Sequence, residues 1–366
     1  MKFSNRLHWD LTPNRVTVLL KAKRAAGEAI IDLTESNPTA AGFDYPAAQI
    51  LSAFADPRNL IYEPSAQGLL SARQAIGPNP ERLLLTASTS EAYAYLFKLL
   101  TDPGDEVLVP RPSYPLFEFL ATLESVRVVQ YPLFYHEGWS IDIQALASAV
   151  TSRTRAIVLV NPNNPTGSYL KQSELAELVK ICQRHNLAII SDEVFADYAF
   201  HPDPERVTTL QKVEEVLTFS MSGLSKVCGL PQLKLGWIRA NGPCAADAME
   251  RLELIADTFL SVATPVQHAL PQLLVAGKAI QDQIRVRATE NLALLPRHLH
   301  VEGGWYATVR VPRTQSEEEW VLQLLTEHNI LVQPGYFYDF DSEAYLILSL
   351  LTPPEKFRQA IPKLPL

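Results

Sequence analysis

Ala156-Ile-Val-Leu-Val-Asn-Pro-Asn-Asn-Pro-Thr-Gly167 runs an uninterrupted apolar segment straight into a turn of proline, asparagine and glycine. A strand with no polar residue on either face has to be covered on both, as in a parallel sheet lying between helices. The turn residues cannot continue the strand. Downstream, Ser173 to His185 has helical spacing and Leu187-Ala-Ile-Ile190 is a second apolar strand, closed by Ser191-Asp192-Glu193. Upstream the same alternation runs through strands at Leu83–Leu85, Glu106–Val109 and Val126–Tyr131, with helices at Ser88–Leu100, Tyr114–Leu123 and Ile143–Val150. Short apolar strands alternating with amphipathic helices give an α/β fold with a mostly parallel sheet.

Ligands of such sheets collect beyond the carboxyl ends of the strands. Five strand ends here carry polar groups: Ser88-Thr89-Ser90, Arg111 to Tyr114, Asn161 to Gly167, Ser191 to Glu193, and Lys226 after Val216–Phe219. Five in succession argue for one shared pocket. After Gly236-Trp-Ile238 the register changes to longer helices at Cys244–Phe259 and Pro265–Leu295. Then come strands within Val301–Val311, a helix at Glu317–His328, and strands at Ile330–Gln333 and Tyr345–Ser349. This tail reads as a smaller α+β domain, which the helix over residues 14–26 joins. The division is a large domain of 40–275 and a small one of 1–39 with 276–366.

The 366 residues are 47% hydrophobic and 20% charged, an ordinary globular composition with room for a large core. A formal net charge of -8 argues against a nucleic-acid partner. Three cysteines, Cys182, Cys228 and Cys244, have no metal-ligand spacing and cannot all pair, which points to a reduced, cytoplasmic compartment and no metal. No apolar run reaches the length of a membrane span, and the first ten residues carry no secretory signal.

Lys226 lies among small, apolar and hydroxyl residues in Phe219-Ser-Met-Ser-Gly-Leu-Ser-Lys-Val-Cys-Gly229. It is either a loop lysine that snorkels to water or an amine whose proton affinity is lowered by desolvation, a nucleophile or base. Asp192 is a helix cap or a partly buried carboxylate in need of a cation. Ser88, Thr89 and Ser90 cap a helix or cradle a phosphate. Asn164 sits in a tight loop or aims its amide into the strand-end pocket, and Tyr114 is core or a ring stacked on a flat ligand. An amine, a buried carboxylate, a flat aromatic and a phosphate cradle together suit pyridoxal 5'-phosphate.

The chain resembles the fold-type I pyridoxal-phosphate enzymes of the class I/II aminotransferase family. The likeness runs from Leu33-Thr-Glu-Ser-Asn-Pro38 to Ser349-Leu-Leu-Thr-Pro-Pro354. It rests on Tyr62 with Gly68, Thr86 to Ala92, Pro103 to Pro110, Pro112-Ser-Tyr-Pro115, Asn161 to Gly167, Ser191-Asp-Glu193, Ser225-Lys226 and Lys234-Leu-Gly236. The resemblance implies a seven-stranded, mostly parallel sheet and a homodimer. It also implies a Schiff base on Lys226, with Asp192 keeping the ring nitrogen protonated, Asn164 donating to the ring hydroxylate and Tyr114 stacking on the ring. Ser88, Thr89, Ser90, Ser225 and Lys234 hold the phosphate, with Tyr62 reaching it from the second subunit.

Four positions depart from the family pattern. Phe195 stands where a tyrosine usually bonds the ring hydroxylate, which raises the pKa of the cofactor linkage. Lys234 replaces an arginine, and Gly223 a serine. Ile347 takes the place of the arginine that grips the substrate carboxylate, leaving Arg15, Arg111 and Arg310 as possible substitutes. The implied activity is transamination between an amino acid or related amine and a 2-oxo acid. The same site also suits a β-lyase, decarboxylase or racemase, and a non-catalytic binding module is the reading from another class.

Overall fold

The computed structural model describes residues 1–366. After the short β1 (Ile31–Asp32), eight strands form one sheet: β2 (Leu83–Thr86), β3 (Glu106–Arg111), β4 (Arg127–His136), β5 (Gly138–Ile141), β6 (Thr154–Val160), β7 (Ala188–Asp192), β8 (Thr218–Gly223) and β9 (Gly236–Asn241). Their order is β2-β9-β8-β7-β6-β3-β4-β5. The run from β8 to β4 is parallel, and β9 opposes both its neighbours. The seven strands implied by the resemblance are present, and β5 is an eighth. It pairs with Leu133–His136, the part of β4 that continues past the end of β3.

The period of two that defines a strand sorts the core. Ala156, Val158, Ala188 and Ile190 pack on one face with Leu96, Phe97, Phe117 and Leu252 from helices. Ile157, Leu159 and Ile189 pack on the other with Leu146, Leu178 and Val213. Each such side chain contributes about 1.5–3 kcal/mol on burial, so the central strands are fixed from both sides. The helix expected from Tyr114 starts instead at Phe117. Tyr114 precedes Pro115, whose ring disfavours helical backbone at the residue before it.

A second sheet has the order β10-β13-β12, made of β10 (Tyr306–Arg310), β12 (Gln333–Pro334) and β13 (Tyr345–Ser349). Beside it β11 (Ile330–Leu331) pairs parallel with β1. The helix Thr264–Leu294 is one 31-residue element that runs straight across position 275.

The turn after β6 is clamped to the segment before β10. Gly167 has φ +71°, and a Cβ there would lie 2.5 Å from the Gly303 carbonyl oxygen and 2.6 Å from Val301 Cγ1. Gly167→Ala combines left-handed strain with overpacking, an expected loss of about 2–4 kcal/mol. Denaturant titration checks it, and an unchanged midpoint would contradict the clamp.

Candidate active site

The turns beyond β2, β6, β7 and β8 wall a single cavity of about 270 Å³, near the lower end of the range in which proteins hold cofactors, which begins at about 300 Å³. Two wider surface recesses, about 650 and 580 Å³, carry no buried carboxylate. The chemistry therefore concentrates in the smaller space.

Ser88 caps the helix Thr89–Leu100, its hydroxyl accepting from the Glu91 N–H at 3.2 Å. The first-turn N–H groups of a helix have no intrahelical acceptor, so the backbone at Thr89 and Ser90 offers donors where both residues line the cavity. Ser225 and Lys234 also line it. Lys234 adopts φ +48°, a left-handed conformation costly for a residue with a Cβ.

Asp192 ends β7 and is 7% exposed. Its Oδ2 accepts from the Tyr93 hydroxyl and its Oδ1 from the Val194 N–H, both at 3.2 Å. Burial pushes its pKa up to about 6, against the opposing pull of those two bonds and of the Lys226 charge. Lys226 lies in the short helix Leu224–Val227 that follows β8. Burial lowers its pKa to about 8, and Asp192 partly offsets the fall. A chargeable amine and a buried carboxyl thus face one space, each holding the other closer to its ionised form.

Gly223 now has a steric reason. A Cβ there would come within 3.0 Å of both the Gly236 Cα and the Leu235 carbonyl oxygen, so a serine would push on β9. Asn164 is 7% exposed and reaches the cavity, its Oδ1 buried without a hydrogen-bond partner. Tyr114, 38% exposed, and the buried Phe195 complete the walls that the sequence anticipates. Tyr62 is the exception. It is 78% exposed and lines a separate recess with Gly68 and Gln267.

Three residues escape the sequence reading. Tyr93 orients Asp192 from the inner face of a helix, where it looks like ordinary core. Ser36 and Tyr306 meet at the cavity, with burial holding the Tyr306 phenol well above its usual pKa. None of the arginines offered as a carboxylate grip lines the cavity. Arg15 pairs with Glu318 at 3.0 Å, Arg111 pairs with Asp341, and Arg310 stacks over Tyr135 at 5.4 Å. Ile347 is fully buried in the apolar cluster that also holds Phe195, Trp305 and Tyr306.

The sequence profile described as "Aminotransferase class I and II" matches residues 42–364. The chain belongs to this aminotransferase family. It is similar to the glutamate-pyruvate aminotransferase AlaA of Escherichia coli, 30% identical over 361 residues that cover 89% of this chain and 87% of the relative. An alanine aminotransferase of Mycobacterium bovis is 30% identical over 358 residues, covering 89% and 82%. Among solved structures, the alanine aminotransferase of Pyrococcus furiosus superposes with a TM-score of 0.86 at 25% identity, covering 99% of each chain. An aminotransferase from Escherichia coli gives 0.85 at 26% identity, covering 99% of this chain and 97% of that one.

Class I and II aminotransferases depend on pyridoxal phosphate, and this chain is a pyridoxal-phosphate-dependent aminotransferase of fold type I. The residues present fit that group. Asn164 reaches the cavity with an amide that has a buried, partnerless Oδ1, and half-buried Lys226 and buried Asp192 share the cavity with a helix N-terminus.

Proposed function

We propose that Lys226 carries the cofactor covalently and then moves the substrate proton, while Asp192 holds the ring nitrogen in its protonated form. The observation that carries this reading is that the Lys226 amine and the buried Asp192 carboxyl line one cavity, where desolvation lowers the pKa of the amine and raises that of the carboxyl. Bound pyridoxal phosphate supplies an electron sink for the carbon that loses its proton. Lys226, freed when an amine donor takes its place, is the base at that carbon and returns the proton to the cofactor side. Asn164 would donate to the ring hydroxylate, Tyr114 would cover a ring face, and Phe195 would offer the hydroxylate no phenol of its own. Ser88, Thr89, Ser90, Ser225 and Lys234 hold the phosphate.

The donor is an amino acid or related amine and the acceptor a 2-oxo acid. The alanine and glutamate-pyruvate aminotransferases among the relatives support small amino acids such as alanine and glutamate. Mixing the loaded protein with alanine and no acceptor is expected to convert the bound cofactor to its amine form, with one pyruvate per site. A second reading, lyase or decarboxylase chemistry, has one observation in its favour, since no arginine of this chain lines the cavity. Continuous release of ammonia or carbon dioxide without an acceptor would select it over transamination.

The same reading makes the protein a homodimer in which Tyr62 reaches the partner's phosphate site. The exposed Leu60, Ile61 and Tyr62 beside the recess support a second copy as their cover. Sedimentation at the mass of two 40.8 kDa chains is the expected result, and a monomer would remove Tyr62 from the site. A cofactor-binding unit of 40–275 with a smaller unit of 1–39 and 276–366 is supported by the separation of the eight-stranded sheet from the three-stranded sheet and the β1–β11 pair. The free cysteines Cys182, Cys228 and Cys244 support a cytoplasmic setting, and no helix is long and apolar enough to cross a membrane.

A further inference from the structure

Aromatic rings close around the Lys226 amine. Its Nζ lies 4.7 Å from the ring centroid of Trp305 and 5.5 Å from that of Phe195. Trp305 meets Phe195 and Tyr198 edge-on, both at 5.2 Å. The Tyr198 hydroxyl in turn donates to the Lys226 carbonyl at 2.5 Å. Trp305 is fully buried and stands immediately before β10, whereas the other three residues belong to connections of the eight-stranded sheet.

The seam between these parts is fixed. The Gly304 N–H donates to the Tyr198 carbonyl at 3.0 Å, and the Phe200 N–H to the Glu302 carbonyl at 2.9 Å. A Cβ on Gly303 would lie 2.5 Å from the Tyr198 carbonyl oxygen, so the two segments touch backbone to backbone. On its other side the Trp305 carbonyl accepts from the Leu350 N–H at 2.8 Å. The indole has little freedom to leave the lysine.

Half-buried Lys226 has less water around its ammonium than a surface lysine, and the face of an indole attracts a cation through its ring quadrupole, most strongly where water is excluded. The other groups that bear on Lys226 are few. Asp192 faces it from β7 with Tyr93 behind, Lys234, Tyr114 and Tyr306 line the same cavity, and Tyr198 and Cys228 pack beneath. Once Asp192 is engaged by the ring nitrogen, its charge is no longer free for the lysine.

We propose that Trp305 is a positioning residue for Lys226, its ring face holding the freed amine in place and in its protonated form between proton transfers. This rests on the reading of Lys226 as the cofactor-bearing amine, and borohydride reduction of the loaded protein tests that reading separately by locating the labelled lysine. The test of Trp305 uses protein stripped of cofactor. Trinitrobenzenesulfonate labelling of Lys226 is followed against pH by mass spectrometry, since the reagent takes only the unprotonated amine. Trp305→Leu is expected to move the labelling midpoint down by about one pH unit, and Trp305→Phe, which keeps a ring, by clearly less. In the loaded enzyme the acid limb of the kcat profile follows in the same order. Equal midpoints in the wild type and Trp305→Leu, or equal shifts in both variants, would overturn the proposal. Wild-type tryptophan fluorescence decides the matter should Trp305→Leu not fold. A component titrating with the labelling midpoint, and lost in Lys226→Met, is expected, and its absence from the wild type also overturns the proposal.

Discussion

Lys226→Ala is expected to lower kcat/KM for any donor at least about a thousandfold, equivalent to ~4 kcal/mol of lost transition-state stabilisation. The chain offers no second amine in a comparable position. Lys234 is the other lysine at the cavity, and its left-handed backbone points it from the turn before β9 rather than from the end of β8. The substitution takes away the covalent attachment and the proton carrier at once, so both the visible absorbance of the attached cofactor and turnover should vanish together. The fold should survive, because Ala removes a half-buried ammonium whose charged form desolvation already disfavours. A Lys226→Ala protein that is folded and retains a tenth of wild-type turnover would be incompatible with the assigned role.

Asp192→Asn should rank next, with turnover reduced on the order of a hundredfold or more, ~3 kcal/mol. An amide keeps the shape and the Val194 and Tyr93 neighbours but cannot balance a protonated ring nitrogen, so the electron sink weakens. Stability offers an independent readout in the cofactor-free protein. The Asp192 pKa rises from 3.8 to about 6 on folding, so the native state holds this proton more tightly than the unfolded chain does. Its contribution is therefore complete below pH 3.8 and is lost as pH climbs through about 6. Lys226 has the opposite sense, its pKa falling from 10.5 to about 8, so its contribution is present above pH 10.5 and lost as pH drops through about 8. Asp192→Asn should flatten the decline of stability between pH 4 and 6 and, by removing the charge that supports the Lys226 ammonium, extend the Lys226-linked slope to lower pH. Denaturant midpoints measured across pH check this, and an unchanged acid slope would sink it.

The parallel core and its strand-end pocket could be read from the chain because strands such as Ala156–Val160 are uniformly apolar and their ends are abruptly polar. β9 escaped for the converse reason. Gly236-Trp-Ile-Arg-Ala-Asn241 is buried at every position, yet its glycine, arginine and asparagine resemble a loop. Arg239 is 5% exposed, and Asn241 donates to the Gln211 carbonyl. Nothing within the segment announces that tertiary partners will accept those groups. Trp305 and Tyr306 were hidden in the same way, since an aromatic next to a strand reads as core until the opposing element is known. The arginine substitutes failed because sequence spacing carries no information on which face of the fold a cation reaches.

The parallel pairing of Ile31 with Ile330 sets a timetable for the newborn chain. Roughly 300 residues separate the partners, and ribosomes add about 5–20 residues per second. The amino-terminal strand therefore waits on the order of 15–60 s for its mate. Ser36, five residues further on, is installed at the mouth of the pocket only after that closure, so vitamin capture by a half-made polypeptide meets an unfinished doorway.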